Sequence, residues 1–167
     1  MGIILSYIET VTAAEAYELT TQGGATDFAR VVAVCEAHGP WCLIGDLAVN
    51  NYVEPVYTLD AEFVAIAEEL RTVNARGPES DLRIQFTTDP RYQAFPGRSV
   101  PAVVLGVPVR VANLEDTTQG KLWAYSDPKR RFSKRKKDEL DLIRLAEAWP
   151  HLKNLYPREL IEQIDRG

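Results

Sequence analysis

Two carboxylates two residues apart, Asp60 and Glu62, are the side chains in this 167-residue chain best placed by type and spacing to do chemistry. If the segment is extended, they leave the same face roughly 7 Å apart along the strand. Two such acids can share divalent cations, which prefer hard oxygen ligands. If the segment is helical, Asp60 is an ordinary N-cap and Glu62 an ordinary first-turn acid. Upstream, Gly45 and Asp46 close a short apolar run, Trp41–Ile44, and open what reads as a small helix. A glycine turn at a helix start presents backbone N–H groups to anions.

These residues must be held by a core, and the composition supplies one. The hydrophobic fraction of 46% and charged fraction of 26% suit a folded globular chain of about one domain. No apolar run approaches the ~20 residues needed to cross a bilayer. The opening Met1–Ile8 is too short for a signal sequence and has no basic residues before it, which reads against export and for a cytoplasmic protein. Cys35 and Cys42 lack metal-ligand spacing and read as reduced, partly buried thiols.

The net charge of −5 conceals a polarity. Seven of the 19 basic residues, Lys129, Arg130, Arg131, Lys134, Arg135, Lys136 and Lys137, fall in nine positions with no acid among them. The remainder carries 12 basic against 24 acidic residues. An acidic body with one basic segment suits an anionic partner at one place. The bland reading is a solvated turn. Lys134–Lys137, however, fall in the first turn of an expected helix, where the macrodipole disfavours cations by a few tenths of a kcal/mol each. That repeated cost points to an anion nearby, and Asp138 and Asp141 offset part of it through local pairs.

Taken in order, Gly2–Ile8 reads as an edge strand and Ala13–Thr20 as a weak helix without a clear apolar stripe. Thr26 caps a helix to about His38, with Phe28, Val31, Val32 and Cys35 on one buried face. Trp41–Ile44 reads as a strand buried on both sides. The pattern then gives a strand over Leu59–Val64, a helix over Ile66–Ala75, and an alternating strand over Leu82–Phe86 with Arg83 and Gln85 on its polar face. Thr88–Ser99 is rich in turn formers. Val100–Leu105 and Val107–Val111 form a hairpin around Gly106, and Asn113 caps a helix to about Tyr125. Further helices are expected over Ser133–Trp149 and Arg158–Ile164, bounded by Pro150 and Pro157. The whole is one α/β domain over 1–167: a small mixed β-sheet flanked by helices over about 26–112, and a helical C-terminal part over 113–167.

Ile44–Gly45, Leu47–Ala48–Val49, Tyr52, Pro55, Thr58 and Asp60-Ala61-Glu62 together resemble the minimal nucleotidyltransferases, and more narrowly the AbiEii-type nucleotidyltransferases of bacterial toxin–antitoxin and phage-defence systems. The stretches VRVANLEDTTQGKLWAY and KKDELDLIRL resemble two helices of the same family. The resemblance covers about residues 26–156. It implies a nucleotidyltransferase-like fold that takes NTP as substrate with Mg and transfers a nucleotide to an RNA or protein hydroxyl. Asp60 and Glu62 would be catalytic metal ligands, Gly45 and Asp46 the phosphate turn, and Lys121 a phosphate contact. The basic segment would then hold an RNA backbone by largely sequence-independent contacts. The relatives' systems also imply a cognate partner protein. Without the resemblance, Lys121 on an amphipathic helix reads as a solvated lysine.

The chain departs from the family pattern at the site itself. Asp46 stands where a second glycine or a serine is usual, Val56 where arginine is usual, and Glu62 where a second aspartate is usual. Gln85 occupies the place of a third carboxylate, with Asp89 past the strand end. An anion at Asp46 would repel phosphates by ~4 kcal/mol at ~4 Å and an effective dielectric near 20, absent a metal or proton. Two expectations follow: a metal-dependent nucleotidyltransferase, or a degenerate, non-catalytic protein of that fold that binds nucleotide, RNA or a partner protein.

Overall fold

The computed structural model describes residues 12–66, the backbone of 74–76, and residues 80–167. Helix α1, Ala13–Thr20, starts at Thr12, whose hydroxyl accepts from the Glu15 N–H while the Glu15 carboxylate accepts from the Thr12 N–H. This reciprocal cap starts the helix despite its weak apolar stripe. Helix α2, Gly24–His38, begins two residues before the expected Thr26 cap. The Thr26 N–H and hydroxyl donate instead to Glu18 of α1, so α1 and not the helix's own first turn takes up that side chain. Phe28, Val32 and Cys35 are buried as the spacing predicts.

Strand β1, Trp41–Ile44, is buried along its whole length, in keeping with neighbours on both sides. It leads directly into α3, Gly45–Val49. Strand β2 is Asp60–Ala65, β3 is Asn74–Arg76 and β4 is Arg83–Thr87. The expected helix over Ile66–Ala75 is corrected at its end: Asn74 and Ala75 are in strand, paired antiparallel with β4. An open β4 edge has backbone groups to satisfy, and pairing there outweighs the local helical composition. Residues 67–73, like the expected strand at Gly2–Ile8, lie outside the described residues.

The turn-rich segment holds one turn of 3₁₀ helix, Pro90–Tyr92, and the single-turn α4, Phe95–Arg98. Strands β5, Val100–Val104, and β6, Val107–Val111, form the expected hairpin, with Leu105 and Gly106 both at positive φ as a two-residue turn requires. The sheet order is β3-β4-β2-β1-β6-β5, with β2/β4 and β1/β6 parallel and the other pairs antiparallel. It is an open mixed sheet with flanking helices.

Helix α5, Leu114–Ser126, is capped by Asn113, whose side chain accepts from the Asp116 N–H at 2.7 Å. Helix α6, Phe132–Ala148, follows a short turn, and α7, Arg158–Arg166, follows a 3₁₀ stretch over Pro150–Leu155. Leu122, Leu142, Leu145, Leu152 and Leu160 make a helical core, and Val49 at the end of α3 enters that core. Leu47 and Ala48 of the same helix enter the core under the sheet. The five-residue α3 therefore ties the two parts together, and its first residues are the glycine turn. No helix among the described residues is long and apolar enough to cross a membrane.

Candidate functional site

The antiparallel pairing of β1 with β2 puts Ile44 opposite Glu62, so the β1–α3 turn and the start of β2 meet at one end of the sheet. Asp60 and Glu62 alternate with the buried Ala61 and Phe63, which places both acids on the same face of an extended strand. Of the two sequence readings, the strand holds. Parallel pairing with β4 sets Arg83 beside Asp60 and Gln85 beside Glu62. Gln85 thus stands where its position on the polar face of β4 predicts, next to the acid pair.

Gly45 is required twice over. Its φ is +69°, a left-handed conformation that side chains resist. A Cβ there would also fall on the Glu62 carboxylate, 2.6 Å from Cδ and 3.2 Å from the Glu62 Cβ. Glu62 therefore lies directly across the turn. Among the described residues its carboxylate has neither an ion pair nor a hydrogen bond, and burial pushes it above the ordinary carboxylate range although Lys121 and Arg130 pull it down.

Asp46 and Asp60 are in the opposite situation. One Asp46 oxygen is 2.5 Å from Lys121 Nζ, and the other accepts from Lys137 and from the Thr58 hydroxyl at 3.3 Å. Burial alone would raise Asp46, but Lys121 and Lys137 outweigh it and hold the carboxyl far below its usual range. One Asp60 oxygen is 2.7 Å from Arg83 Nε, and the other is 3.2 Å from Lys134 Nζ. The Asp46 repulsion expected against a phosphate is thus already neutralised from inside the protein.

Lys121 corrects the solvated reading, because its side chain is only 5% exposed. Its ammonium lies 2.5 Å from Asp46, 3.1 Å from Asp138 and 2.8 Å from Asp141. Burial works against the charge, yet the three aspartates raise Lys121 well above an ordinary lysine. It donates hydrogen bonds to Asp46 and Asp138, while the nearby Asp141 Oδ2 is buried without a hydrogen-bond partner.

The basic segment divides. Lys134 and Lys137 turn inward to Asp60 and Asp46, Arg130 pairs with Asp138 at 2.6 Å, and Lys136 pairs with Glu139 at 2.7 Å. Lys129, Arg131 and Arg135 carry no ion pair among the described residues. Phe132 is 65% exposed, with the Arg135 guanidinium 5.9 Å and the Lys136 ammonium 5.7 Å from its ring centroid. So the anion that the helix-start cations call for is, for Lys134 and Lys137, the protein's own acid cluster.

Beside the cluster is a cleft of about 200 Å³. Gly45, Glu62, Gln85 and Lys121 line it, together with Tyr92 and Trp123; Asp46 and Asp60 do not. Acids outnumber cations along its walls, with Glu62, Asp89, Asp116, Asp127 and Asp138 against Arg91, Lys121 and Arg130. Asp89 is engaged by Arg91, 2.6 Å away, and Arg91 also lies 4.8 Å from the Trp123 ring centroid. Val56, at the arginine position of the resemblance, is exposed, and its backbone is held by the Asn50 side chain at 2.7 and 3.0 Å.

The donor set expected for magnesium does not fit in this arrangement. Of the expected pair, Asp60 has both oxygens occupied by Arg83 and Lys134 while only Glu62 is free of an ion pair, and among the described residues no three Asp, Glu, His or Cys side chains group as a metal site. Residue-by-residue reading missed Arg83, Asp138 and Asp141 as partners of the site. A signal existed: Lys134, Lys137, Asp138, Asp141 and Arg144 recur at three-to-four spacing, which puts one charged stripe on α6. Comparison of the sequence with protein-family models and with curated proteins found no match.

Proposed function

We propose that this chain is a nucleotidyltransferase-like protein that binds RNA through the α5–α6 turn and, in the arrangement described, does not transfer nucleotides. One observation supports the reading: the basic segment is split between inward lysines that occupy Asp46 and Asp60 and cations without an ion pair among the described residues, the exposed Lys129 and Arg131 and the half-buried Arg135, with Arg135 and Lys136 beside the exposed ring of Phe132. Cations beside an exposed aromatic ring suit a single strand, whose phosphates and bases they can engage together. The acid-lined cleft is a poor seat for a triphosphate by comparison.

The catalytic reading, transfer from NTP with magnesium to an RNA or protein hydroxyl, keeps one point in its favour. Glu62 has no ion pair among the described residues and stands beside the Gly45 turn, where a reacting group would be expected. The test is to incubate the protein with magnesium, each labelled NTP, total RNA and lysate. No label transfer is expected from the wild-type chain, alongside salt-sensitive binding of a single-stranded RNA. Label transfer that is lost in Asp60→Ala would replace the proposal with the catalytic reading. Label-free RNA binding that ignores salt would count against both.

A further inference from the structure

The cleft beside the Gly45 turn has a floor and walls suited to an organic cation. Five carboxylates line it against three cationic side chains. Three of the five are already engaged: Asp89 by Arg91, Asp116 by Arg98 at 2.8 Å, and Asp138 by Lys121 and Arg130. The other two, Glu62 and Asp127, have no ion pair among the described residues. Glu62 is buried against the Gly45 turn, and among the described residues its carboxylate accepts no hydrogen bond. Asp127 is exposed on the α5–α6 turn, where one oxygen accepts the Lys129 backbone N–H at 2.9 Å.

A metal ion needs several hard oxygens that converge, and among the described residues the acids form no such group. An ammonium asks less, because its three N–H donors take charged or neutral acceptors alike. Glu62 offers two oxygens, and Gln85, its register partner on β4, brings an amide oxygen to the same cleft. Tyr92 and Trp123 add an aromatic wall, with ring centroids 5.1 Å apart. Aromatic faces attract organic cations and cover their methylene stems. The cleft already uses this pairing once: the Arg91 guanidinium lies 4.8 Å from the Trp123 ring centroid while it is paired with Asp89.

We infer that the cleft is a binding site for a short aliphatic diamine, with one ammonium held by Glu62 and Gln85 inside and the other by Asp127 at the rim. A volume of about 200 Å³ suits a ligand of that size. The site stands apart from the RNA reading, since Lys129, Arg131 and Arg135 do not line it.

The probe is putrescine, titrated into the full chain by calorimetry and compared with butylamine, which has the same carbon chain and a single ammonium. Putrescine should bind the wild type about tenfold or more tightly than butylamine. Glu62→Gln should weaken both amines by about tenfold or more. Asp127→Asn should bring putrescine down to the level of butylamine and leave butylamine unchanged. No binding of putrescine by the wild type would overturn the inference, and so would equal affinity in the wild type and Glu62→Gln. Displacement of putrescine by Mg2+ at matched ionic strength would also overturn it, since that would mark a metal site. Should circular dichroism show Glu62→Gln unfolded, the exposed Asp127→Asn decides: loss of the preference for putrescine supports the claim, and a preference kept refutes it. Label transfer or an absence of RNA binding would sink the functional reading and leave this comparison standing.

Discussion

Lys121 is the residue on which the charge network turns. Its ammonium is shared by α3 through Asp46 and by α6 through Asp138 and Asp141, so one side chain on α5 joins three helices. A buried ion pair is weak evidence of net stability, since desolvation offsets much of the attraction. Removing one partner is another matter. Lys121→Met would leave Asp46, Asp138 and Asp141 without their shared cation, at an expected cost of about 3–5 kcal/mol. At roughly 2–4 °C per kcal/mol for a chain of this size, the melting temperature should drop by on the order of 10 °C in calorimetry. Lys121→Met combined with Asp46→Asn should recover part of that loss, because one uncompensated charge goes with it. If the single variant melted like the wild type, the network would be a surface feature rather than a structural one. Gly45 shows the same economy of space: its missing side chain is the room in which Glu62 sits.

Helix α6 does two jobs with two faces. Leu142, Leu145 and Ala146 pack into the helical core, while the charged stripe from Lys134 to Arg144 faces α3, α5 and β2. Arg144 completes that stripe by pairing with Asp141 at 3.0 Å and donating to the Glu54 carbonyl. The preceding loop keeps Lys129 and Arg131 exposed, and the first turn keeps the half-buried Arg135 free of an ion pair among the described residues. This division makes a quantitative prediction for RNA. For a single strand the salt slope of log K is about −0.7 per neutralised phosphate, so these three cations should contribute about −2, and seven would contribute about −5. Neutralising Lys129, Arg131 and Arg135 should therefore abolish most of the salt dependence in a fluorescence-anisotropy titration. Neutralising Lys134, Lys136 and Lys137 should chiefly lower the melting temperature. A slope near −5 in the wild type would mean that the inward lysines release their acids when RNA binds.

At the scale of the whole molecule, the buried charges set how stability responds to pH. Asp46 is held below its unfolded value, so its contribution is present above about pH 4 and is lost as pH falls toward its folded pKa. Lys121 is raised, so its contribution is complete below about pH 10 and fades only as pH rises further. Glu62 is raised as well, with the opposite consequence for a carboxylate: from about pH 4 upward its ionisation in the folded state is penalised, and stability declines through that interval. A melting-temperature profile should fall steeply in acid and be shallowly inclined between acid and neutral pH. Glu62→Gln should remove the incline and leave the acid limb in place. An unchanged incline would show that Glu62 does not titrate in contact with the cluster. The two thiols add little in this range, since burial pushes Cys35 up to about 11 and Cys42 up to about 12.

What the sequence by itself determined is largely local. Apolar periodicity and caps placed β1, β4, the β5–β6 hairpin, α5 and α6 within a residue or two, because those elements bury one face or one stripe and their ends carry Gly, Pro, Asn or a cap. The same logic put Asp60 and Glu62 on one face and Gln85 beside them. Where local composition and neighbours disagreed, the neighbours won: Asn74 and Ala75 joined an open strand edge, and Thr26 was taken by α1 before it could cap α2. The charges were decided only in three dimensions. A run of seven cations and a scatter of acids has no sequence signature of pairing, because Lys137 and Asp46 are 91 residues apart and the attraction between charges depends on distance through space. Folding α6 back onto α3 turned a stretch that read as a basic surface into the counter-charge of the acid pair.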